Sequence, residues 1–249
     1  MMISQINRGY FIALQQYRAG LEQRNALLKS IRTGCSTGTH LLDVFEQAMS
    51  APAAAIVSER KRIISVLSDL AADTYRNISG LEQEEFRISY HSSLKDEESP
   101  EQAFCRQMKE NRDDDIRTGI TSVGPHRDDL GLSLNRKNMK VFASQGQIRT
   151  AALSLKLAQM KVLKKVGGET PVLLLDDVMS ELDKNRRMRL VSEISEYQTF
   201  ITCTDESDLE LEGNRRTYRV SSENGTACVQ ETNAGEPVVM KEISEPDFS

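Results

Sequence analysis

The sequence is poor in the residues from which metal centres and disulfide frameworks are built. Its 249 residues include only three histidines and four widely spaced cysteines, Cys35, Cys105, Cys203 and Cys228, with no Cys-x-x-Cys pair. Zinc sites and disulfide frameworks need clustered or regularly spaced ligands. We therefore expect reduced, scattered thiols and neither a zinc site nor cysteine catalysis.

Long apolar segments and an excess of positive charge are also missing. No apolar run is long enough to span a bilayer, and the N-terminus lacks the charged and then apolar order of a secretory signal. The formal net charge of −5 argues against a globally basic nucleic-acid binder, so any contact with DNA needs a local patch. These absences predict a cytoplasmic protein without a membrane partner.

A phosphate-binding loop of the Walker type is absent as well. That pattern needs a lysine directly after its last glycine, and no Gly-Lys dipeptide occurs anywhere in the chain. The turn at 33–39, TGCSTGT, contains two glycines but not the lysine. We interpret it as the break between two helices.

The first half of the chain is predicted to be mainly helical. Apolar residues recur at steps of three and four over 3–31 and again over 41–78, with an interruption near Pro52. Two antiparallel helices of this kind would bury their apolar faces against each other. We expect three parts: a helical arm over 1–116, a head domain over 117–232, and an acidic, disordered tail over 233–249.

Arg60, Lys61 and Arg62 stand side by side on the second predicted helix. Three further basic residues would complete a patch for DNA phosphates: Arg24, Lys29 and Arg32. A solvated helix face is the usual explanation for such residues and needs no DNA. Both interpretations stay open.

Between arm and head, alternating apolar residues predict strands near 86–90 and 130–134, the second of which forms a hairpin with 139–142. Another strand is expected over 118–123. Asp113–Asp115 is interpreted as a solvated turn rather than a metal site, because three successive side chains point in divergent directions.

The clearest chemistry lies in residues 142–183. The run Val172–Leu175 is apolar without alternation, which predicts a strand buried on both faces of a parallel sheet. Asp176 and Asp177 follow at its carboxyl end, where ligands gather in α/β sheets. Such a pair suits Mg²⁺, which keeps most of its waters and takes one or two protein carboxylates. A solvated Asp-Asp turn is the alternative.

A polar turn opens the helix that precedes this strand. Ser144, Gln145, Gly146 and Gln147 stand where the unpaired amides and the macrodipole of a helix start could bind an anion, and the glycine permits close approach. A Ser-x-x-Gln capping box explains the same residues without a ligand. From this turn alone, the capping box is favoured.

The order of these motifs resembles the second half of an ABC-type ATPase head, and more closely the RecF family of SMC-related ATPases. The segments that carry the likeness are 3–7 (ISQIN), 23–29 (QRNALLK), 122–130 (SVGPHRDDL), 144–147 (SQGQ), 151–158 (AALSLKLA), 173–178 (LLLDDV) and 180–183 (SELD). The implied fold is α/β: the C-terminal half of an ABC-type head, with a parallel-sheet core, flanking helices and β-hairpins, plus an N-terminal helical arm.

The resemblance implies roles for the motif residues. Ser144–Gln147 would be the signature turn that reaches the γ-phosphate of an ATP molecule held by a partner subunit. Asp176 would hold Mg²⁺, and Asp177 would position or deprotonate the attacking water. Ser180 and Asp183 would belong to the D-loop, which crosses the dimer interface.

The resemblance also implies a switch position and a biological setting. Thr204 would stand where many ABC ATPases have a histidine that senses the γ-phosphate. An ATP-dependent homodimer would bind single- and double-stranded DNA at gaps and would help RecO and RecR to load RecA. Because the lysine-bearing loop is missing, we expect this chain alone neither to bind ATP tightly nor to hydrolyse it.

Two other functions stay open. The chain could be a binding module that contacts DNA or a protein partner without nucleotide. It could also belong to the ATPase subunit of a transporter, although the long helical part and the missing histidine fit that class poorly.

Overall fold

The computed structural model describes residues 2–35, 37–94, 99–168, 170–205, 216–223 and 226–231. Two compact units divide the chain at Asp205, and each is described by itself. The helices of the first unit are α1 (Met2–Ile6), α2 (Arg8–Arg32), α3 (His40–Ser79), α4 (Pro100–Glu110), α5 (Arg112–Thr118), α6 (Met139–Phe142), α7 (Gln145–Gly167) and α8 (Lys184–Ile194). Its strands are β1 (Phe86–His91), β2 (Asp129–Leu134), β3 (Lys137–Asn138), β4 (Leu173–Asp176) and β5 (Thr199–Thr202). The second unit contains β6 (Tyr218–Glu223) and β7 (Thr226–Glu231).

Helix α3 connects the two hydrophobic clusters of the first unit. Its first half packs against α2 and α4, and its second half packs against β1 and α7. Pro52 lies inside α3 without ending it, so the predicted interruption is a position within one helix. The predicted first helix is instead two helices, because the side chain of Asn7 caps α2 by accepting a hydrogen bond from Tyr10 N at 2.9 Å.

The small antiparallel sheet confirms the predicted strands near 86–90 and 130–134. Strand β1 pairs with β2 from Phe86 opposite Leu134 to His91 opposite Asp129. The expected hairpin partner at 139–142 is wrong, since these residues form α6, capped by the Asn138 side chain on Lys140 N at 2.9 Å. Strand pairing after β2 is limited to the two residues of β3.

The expected strand at 118–123 is also wrong. Helix α5 ends at Thr118 and is capped by Gly119, whose φ of 74° is in the left-handed region, and the chain then turns rather than extends. The backbone N–H and the hydroxyl of Thr121 both donate to Asn25 Oδ1, at 2.9 and 2.7 Å. The Asn25 side chain on α2 therefore accepts the hydrogen bond of the Thr121 backbone N–H. In the expected strand, a neighbouring strand would have accepted that bond.

Strands β4 and β5 form the expected parallel pair, but the predicted burial of β4 on both faces is wrong. Leu173 and Leu175 are buried, whereas the Leu174 side chain between them is 73% exposed. Val172 and Phe200, the latter paired with Leu174 across the strands, are exposed too. Only one face of this pair is covered by the part of the chain that the structure describes.

The second unit contains the expected antiparallel hairpin of β6 and β7. The Asn-Gly dipeptide at Asn224 and Gly225 predicts a hairpin turn. These two residues and the predicted tail at 233–249 lie outside the described residues. The domain boundaries at 116 and 232 stay predictions. Within the described ranges, no helix is both long and apolar enough to cross a membrane.

A fully buried arginine joins the helical elements. Arg24 donates from Nη1 to Asp115 Oδ2 and to Thr121 Oγ1, both at 2.8 Å, and from Nη2 to Glu46 Oε1 at 2.9 Å. Arg112 pairs with Glu46 from the other side. Asp115 is thus a buried ion-pair partner rather than part of a solvated turn, and Arg24 cannot belong to a basic patch for DNA.

We predict that replacing this arginine destabilises the chain strongly. The change Arg24→Met leaves two buried carboxylates without their shared partner, so the free energy of unfolding should fall by about 3 kcal/mol or more. Urea unfolding of Arg18→Met, an exposed position on the same helix, is the matched control and should shift that free energy by less than about 0.5 kcal/mol. Equal losses from the two variants would contradict the structure.

Neighbouring leucines in β4 give a second prediction. Because Leu175 is buried and Leu174 is exposed, Leu175→Ala should lower the free energy of unfolding by about 2–4 kcal/mol. Leu174→Ala should change that free energy by less than about 0.5 kcal/mol. A large loss from Leu174→Ala would restore the expectation that both faces of the strand are covered.

Candidate functional site

The two adjacent acidic residues lie at the carboxyl end of β4, and Thr202 of β5 contacts the carboxylate of the first and the backbone of the second. Thr202 is opposite Asp176 in the parallel register, and its hydroxyl donates to Asp176 Oδ1 at 2.5 Å. The same hydroxyl accepts the backbone N–H of Asp177 at 3.0 Å, and Thr202 O accepts that N–H at 3.2 Å. One residue therefore orients the first carboxylate and fixes the backbone of the second.

Asp177 has left-handed backbone geometry. Its φ is 49°, a region that aspartate enters more readily than most residues. The chain then reverses into a 3₁₀ turn, Met179–Glu181, and the Ser180 hydroxyl donates to Asp177 O at 2.9 Å. Asp183 caps α8 by accepting Arg186 N at 3.0 Å. Asp176, Asp177, Ser180 and Asp183 are all exposed, so this loop is open to a ligand or to a second chain.

The acidic pair fits a magnesium ion that keeps most of its waters. Asp176 presents an exposed carboxylate at the strand end, with Thr202 bonded to one of its oxygens. Among the described residues, no group of three or more His, Cys, Asp or Glu side chains could hold a metal. A site with one or two carboxylates suits Mg²⁺ completed by water and phosphate oxygens, and not a cage made only of protein ligands.

The polar turn before α7 forms the complete capping box. Ser144 Oγ accepts Gln147 N at 3.3 Å, and Gln147 Oε1 accepts Ser144 N at 2.9 Å. The capping box is compatible with anion binding at the same turn. The Ser144 hydroxyl acts as an acceptor in the box, so its proton can still be donated to a ligand. Ser144 and Gln145 are exposed at the start of a 23-residue helix, where the macrodipole favours negative charge.

Glu84, in the loop before β1, fastens this turn to α3. Gln147 Nε2 donates to Glu84 Oε1 at 2.8 Å, and the Tyr75 hydroxyl donates to Glu84 Oε2 at 2.8 Å. Burial, reinforced by the Glu84 carboxylate, raises the pKa of Tyr75, so its hydroxyl stays protonated and keeps donating. The orientation of Gln147 therefore depends on a helix of the arm.

Sequence reasoning missed Thr202 and Glu84. Thr202 could have been found from the parallel pairing of β4 with β5. Thr202 and Asp176 are each the fourth residue of their strand, so they lie opposite each other when the strand starts are paired. No local signal indicates Glu84, which meets Gln147 from 63 residues away in the chain. Thr204, the predicted switch residue, is exposed two positions beyond β5, and its role stays a prediction.

The predicted DNA-binding residues do not share one exposed surface. Arg60 points inward, where it donates to Pro125 O at 2.6 Å and to Tyr10 Oη at 3.1 Å and pairs with Asp128 at 3.4 Å. Arg62 is exposed and pairs with Glu59 at 2.8 Å. The expected patch therefore loses Arg60, and DNA contact by Lys61 and Arg62 stays a prediction.

The segment 122–130 connects the arm to the sheet. The Tyr17 hydroxyl lies 2.7 Å from His126 Nδ1, and His126 Nε2 lies 3.1 Å from Thr121 O, to which it donates in the neutral ring. Burial lowers the pKa of His126 and favours that neutral form. Asp128 accepts from Ser93 N at 2.7 Å and from the Tyr90 hydroxyl. These bonds make the segment a structural junction.

Comparison with known proteins gives a consistent set of relatives, although no family model matches the sequence. Curated proteins named DNA replication and repair protein RecF are similar over most of the chain. The protein of Ruminiclostridium cellulolyticum is 39% identical over 233 residues, which are 91% of this chain and 62% of that protein. The proteins of Lactobacillus delbrueckii subsp. bulgaricus and Halothermothrix orenii are 44% and 43% identical, over 81% and 82% of this chain and 54% and 56% of theirs.

Solved structures give the same result. The recombination mediator protein RecF of the RecFOR pathway, solved as RecF-ATPrS, matches with a TM-score of 0.78 and 33% identity, over 93% of this chain and 61% of that one. The RecF-ATP structure has the same TM-score and identity, over 92% and 60%.

These matches confirm the expected fold. The chain is an α/β protein that corresponds to the C-terminal half of an ABC-type ATPase head, with a parallel strand pair, flanking helices and hairpins, joined to a helical arm. It spans 54–62% of the length of the three curated relatives described above. In both its sequence and its fold, the chain is similar to RecF proteins over the part of their length that it spans.

Proposed function

We propose that this chain supplies the signature turn and the magnesium-site acids of a RecF-type, ATP-dependent dimer that acts in DNA replication and repair. The observation that carries the proposal is the match of 92% of the chain to RecF-ATP with a TM-score of 0.78. The exposed Ser144 turn and the exposed acidic pair held by Thr202 support it, because both are chemically suited to nucleotide phosphates and their metal.

At the acidic end of β4, Asp176 would hold the ion, and Mg²⁺ would supply charge neutralisation for the ATP phosphates. Thr202 orients the Asp176 carboxylate through the hydrogen bond to Oδ1. Asp177, whose backbone is fixed by Thr202, would orient or deprotonate a water molecule. The aspartate side chain is one methylene shorter than glutamate and would reach less far toward this water, so hydrolysis should be slow.

The Ser144 turn would act on the ATP held by a second subunit. Its hydroxyl, the amides near Gly146 and the positive end of α7 form a group of donors suited to the charge that develops on a γ-phosphate. Ser180 and Asp183 would contact the second subunit as the D-loop. Thr204 would sense whether the γ-phosphate is present. Together these residues would make dimer formation depend on ATP.

The biological partners follow from the family. The ATP-bound dimer would hold DNA at single-strand gaps, contacting both single- and double-stranded segments, and would help RecO and RecR to load RecA. Four residues of the predicted patch remain for DNA phosphates: Lys29, Arg32, Lys61 and Arg62.

We predict that the chain associates with a complete RecF only when ATP is present. Fluorescently labelled chain should bind full-length RecF of Ruminiclostridium cellulolyticum in sedimentation velocity with ATP and Mg²⁺. The change Ser144→Arg should weaken that association by about tenfold or more, because it replaces the hydroxyl donor with a bulky side chain on the surface that would face the second subunit. Ser65→Arg, an exposed serine on α3, is the control and should leave the affinity unchanged.

The alternative function has a distinct outcome in the same experiment. A nucleotide-independent binding module would associate equally with and without ATP, and Ser144→Arg would have no effect. The completed capping box is the observation that favours this alternative, since it satisfies Ser144 and Gln147 without a ligand.

A second prediction concerns turnover by the chain alone. Because the sequence has no Gly-Lys dipeptide to hold the β- and γ-phosphates, phosphate release from ATP should not exceed the buffer background. Hydrolysis that disappears in Asp177→Asn would mean that the chain completes a nucleotide site without a Walker loop. Asn is the appropriate replacement, since it tolerates the left-handed backbone at this position.

A further inference from the structure

Two arginines connect the Ser144 turn with the loop that follows the acidic pair. Arg149, on the second turn of α7, places Nε 3.3 Å from Glu181 Oε2 in the 3₁₀ turn. Arg186, on the first turn of α8, reaches in the opposite direction, and its Nη1 lies 2.8 Å from the point that a Cβ on Gly146 would occupy. Helix α7 therefore contributes Arg149 to the loop after the acidic pair, and helix α8 contributes Arg186 to the Ser144 turn.

The Arg186 contact gives Gly146 a role that does not involve a ligand. The sequence predicts that this glycine allows a ligand to approach closely, whereas in the structure a guanidinium lies against it. Arg186 is also 3.5 Å from Asp183 Oδ2, so the side chain spans from the α8 cap to the backbone of the Ser144 turn. An alanine at 146 would have to displace the end of Arg186.

The Arg149–Glu181 pair is too exposed to contribute much to stability. Its two side chains are 43% and 47% exposed, and ion pairs of this kind contribute about 0–1 kcal/mol. A contact that adds little stability can still fix the relative position of two loops. The four residues Arg149, Glu181, Asp183 and Arg186 form such a contact between the two exposed motifs, and we name them the arginine link.

We propose that Arg149 and Arg186 are positioning residues that join the Ser144 turn and the 178–183 loop into one rigid surface for a second subunit. The proposal deepens the proposed function and rests on it for the identity of that subunit. If the two motifs moved independently, a partner that engaged Ser144 would still have to order Ser180 and Asp183 at an entropic cost. The arginine link removes that cost before the subunits meet.

The test reverses the charges of the pair in the intact chain. Variants Arg149→Glu and Glu181→Arg should each speed hydrogen exchange of the Gln147 and Ile148 amides by about threefold or more in NMR without nucleotide, because each places like charges together. The double variant restores opposite charges and should return both rates to those of the wild type. Arg186→Ala should also speed them, and Arg186→Lys should do so less.

The matched control is Lys164 with Glu196, an exposed pair 3.0 Å apart at the other end of α7. Lys164→Glu should leave exchange at 147 and 148 unchanged. The midpoint of thermal unfolding should stay constant for all these variants, which separates positioning from general destabilisation. Unchanged exchange in both single reversals, or failure of the double reversal to restore it, would overturn the proposal.

The association experiment with full-length RecF separates this proposal from the proposed function. Each single reversal should weaken ATP-dependent association by about tenfold, and the double reversal should restore it. If the wild-type chain shows no ATP-dependent association, the proposed function fails, while the exchange rates still decide whether the arginine link is rigid. If association follows ATP but ignores the reversals, the link does not serve the interface and the proposal is wrong.

Discussion

The site depends on the parallel register between β4 and β5. That register places Thr202 opposite Asp176, so one hydroxyl can donate to the Asp176 carboxylate and accept the amide of Asp177. A shift of one residue would turn the threonine to the other face of the sheet and release both acids. The left-handed turn at Asp177 and the Ser180 bond behind it follow from this anchoring, because they begin where the strand pairing ends.

A second level of organisation lies around the Ser144 turn. The capping box sets the local geometry, Glu84 ties Gln147 to Tyr75 on α3, and Arg149 reaches Glu181 beyond the acidic pair. The turn is thus held by the arm on one side and by the acidic loop on the other. Elements far apart in the sequence converge on it, and of these only the loop with Glu181 belongs to a motif that the sequence pattern indicates.

Short sequence patterns predicted the features that depend on interactions between residues close together in the chain. The Ser144–Gln147 cap, the long arm helices and strand β4 all follow from spacing and side-chain chemistry within a few residues. Errors arose where a distant side chain replaced the expected partner. Asn25 satisfies the backbone at Thr121, and Arg24 takes Asp115 into the interior; neither pairing leaves a signal in the sequence around residue 120. The apolar run of β4 correctly indicated a strand, but composition could not reveal that Leu174 is exposed.

The buried arginine has a consequence for the order in which the arm forms during synthesis. Arg24 meets Glu46 after 22 residues, but Asp115 and Thr121 follow it by 91 and 97. A nascent chain that has not yet reached residue 115 therefore contains Arg24 with Glu46 but without its second carboxylate partner, Asp115. The interior of the arm can close only when the segment just before the head has been made, so the arm and that junction are completed together.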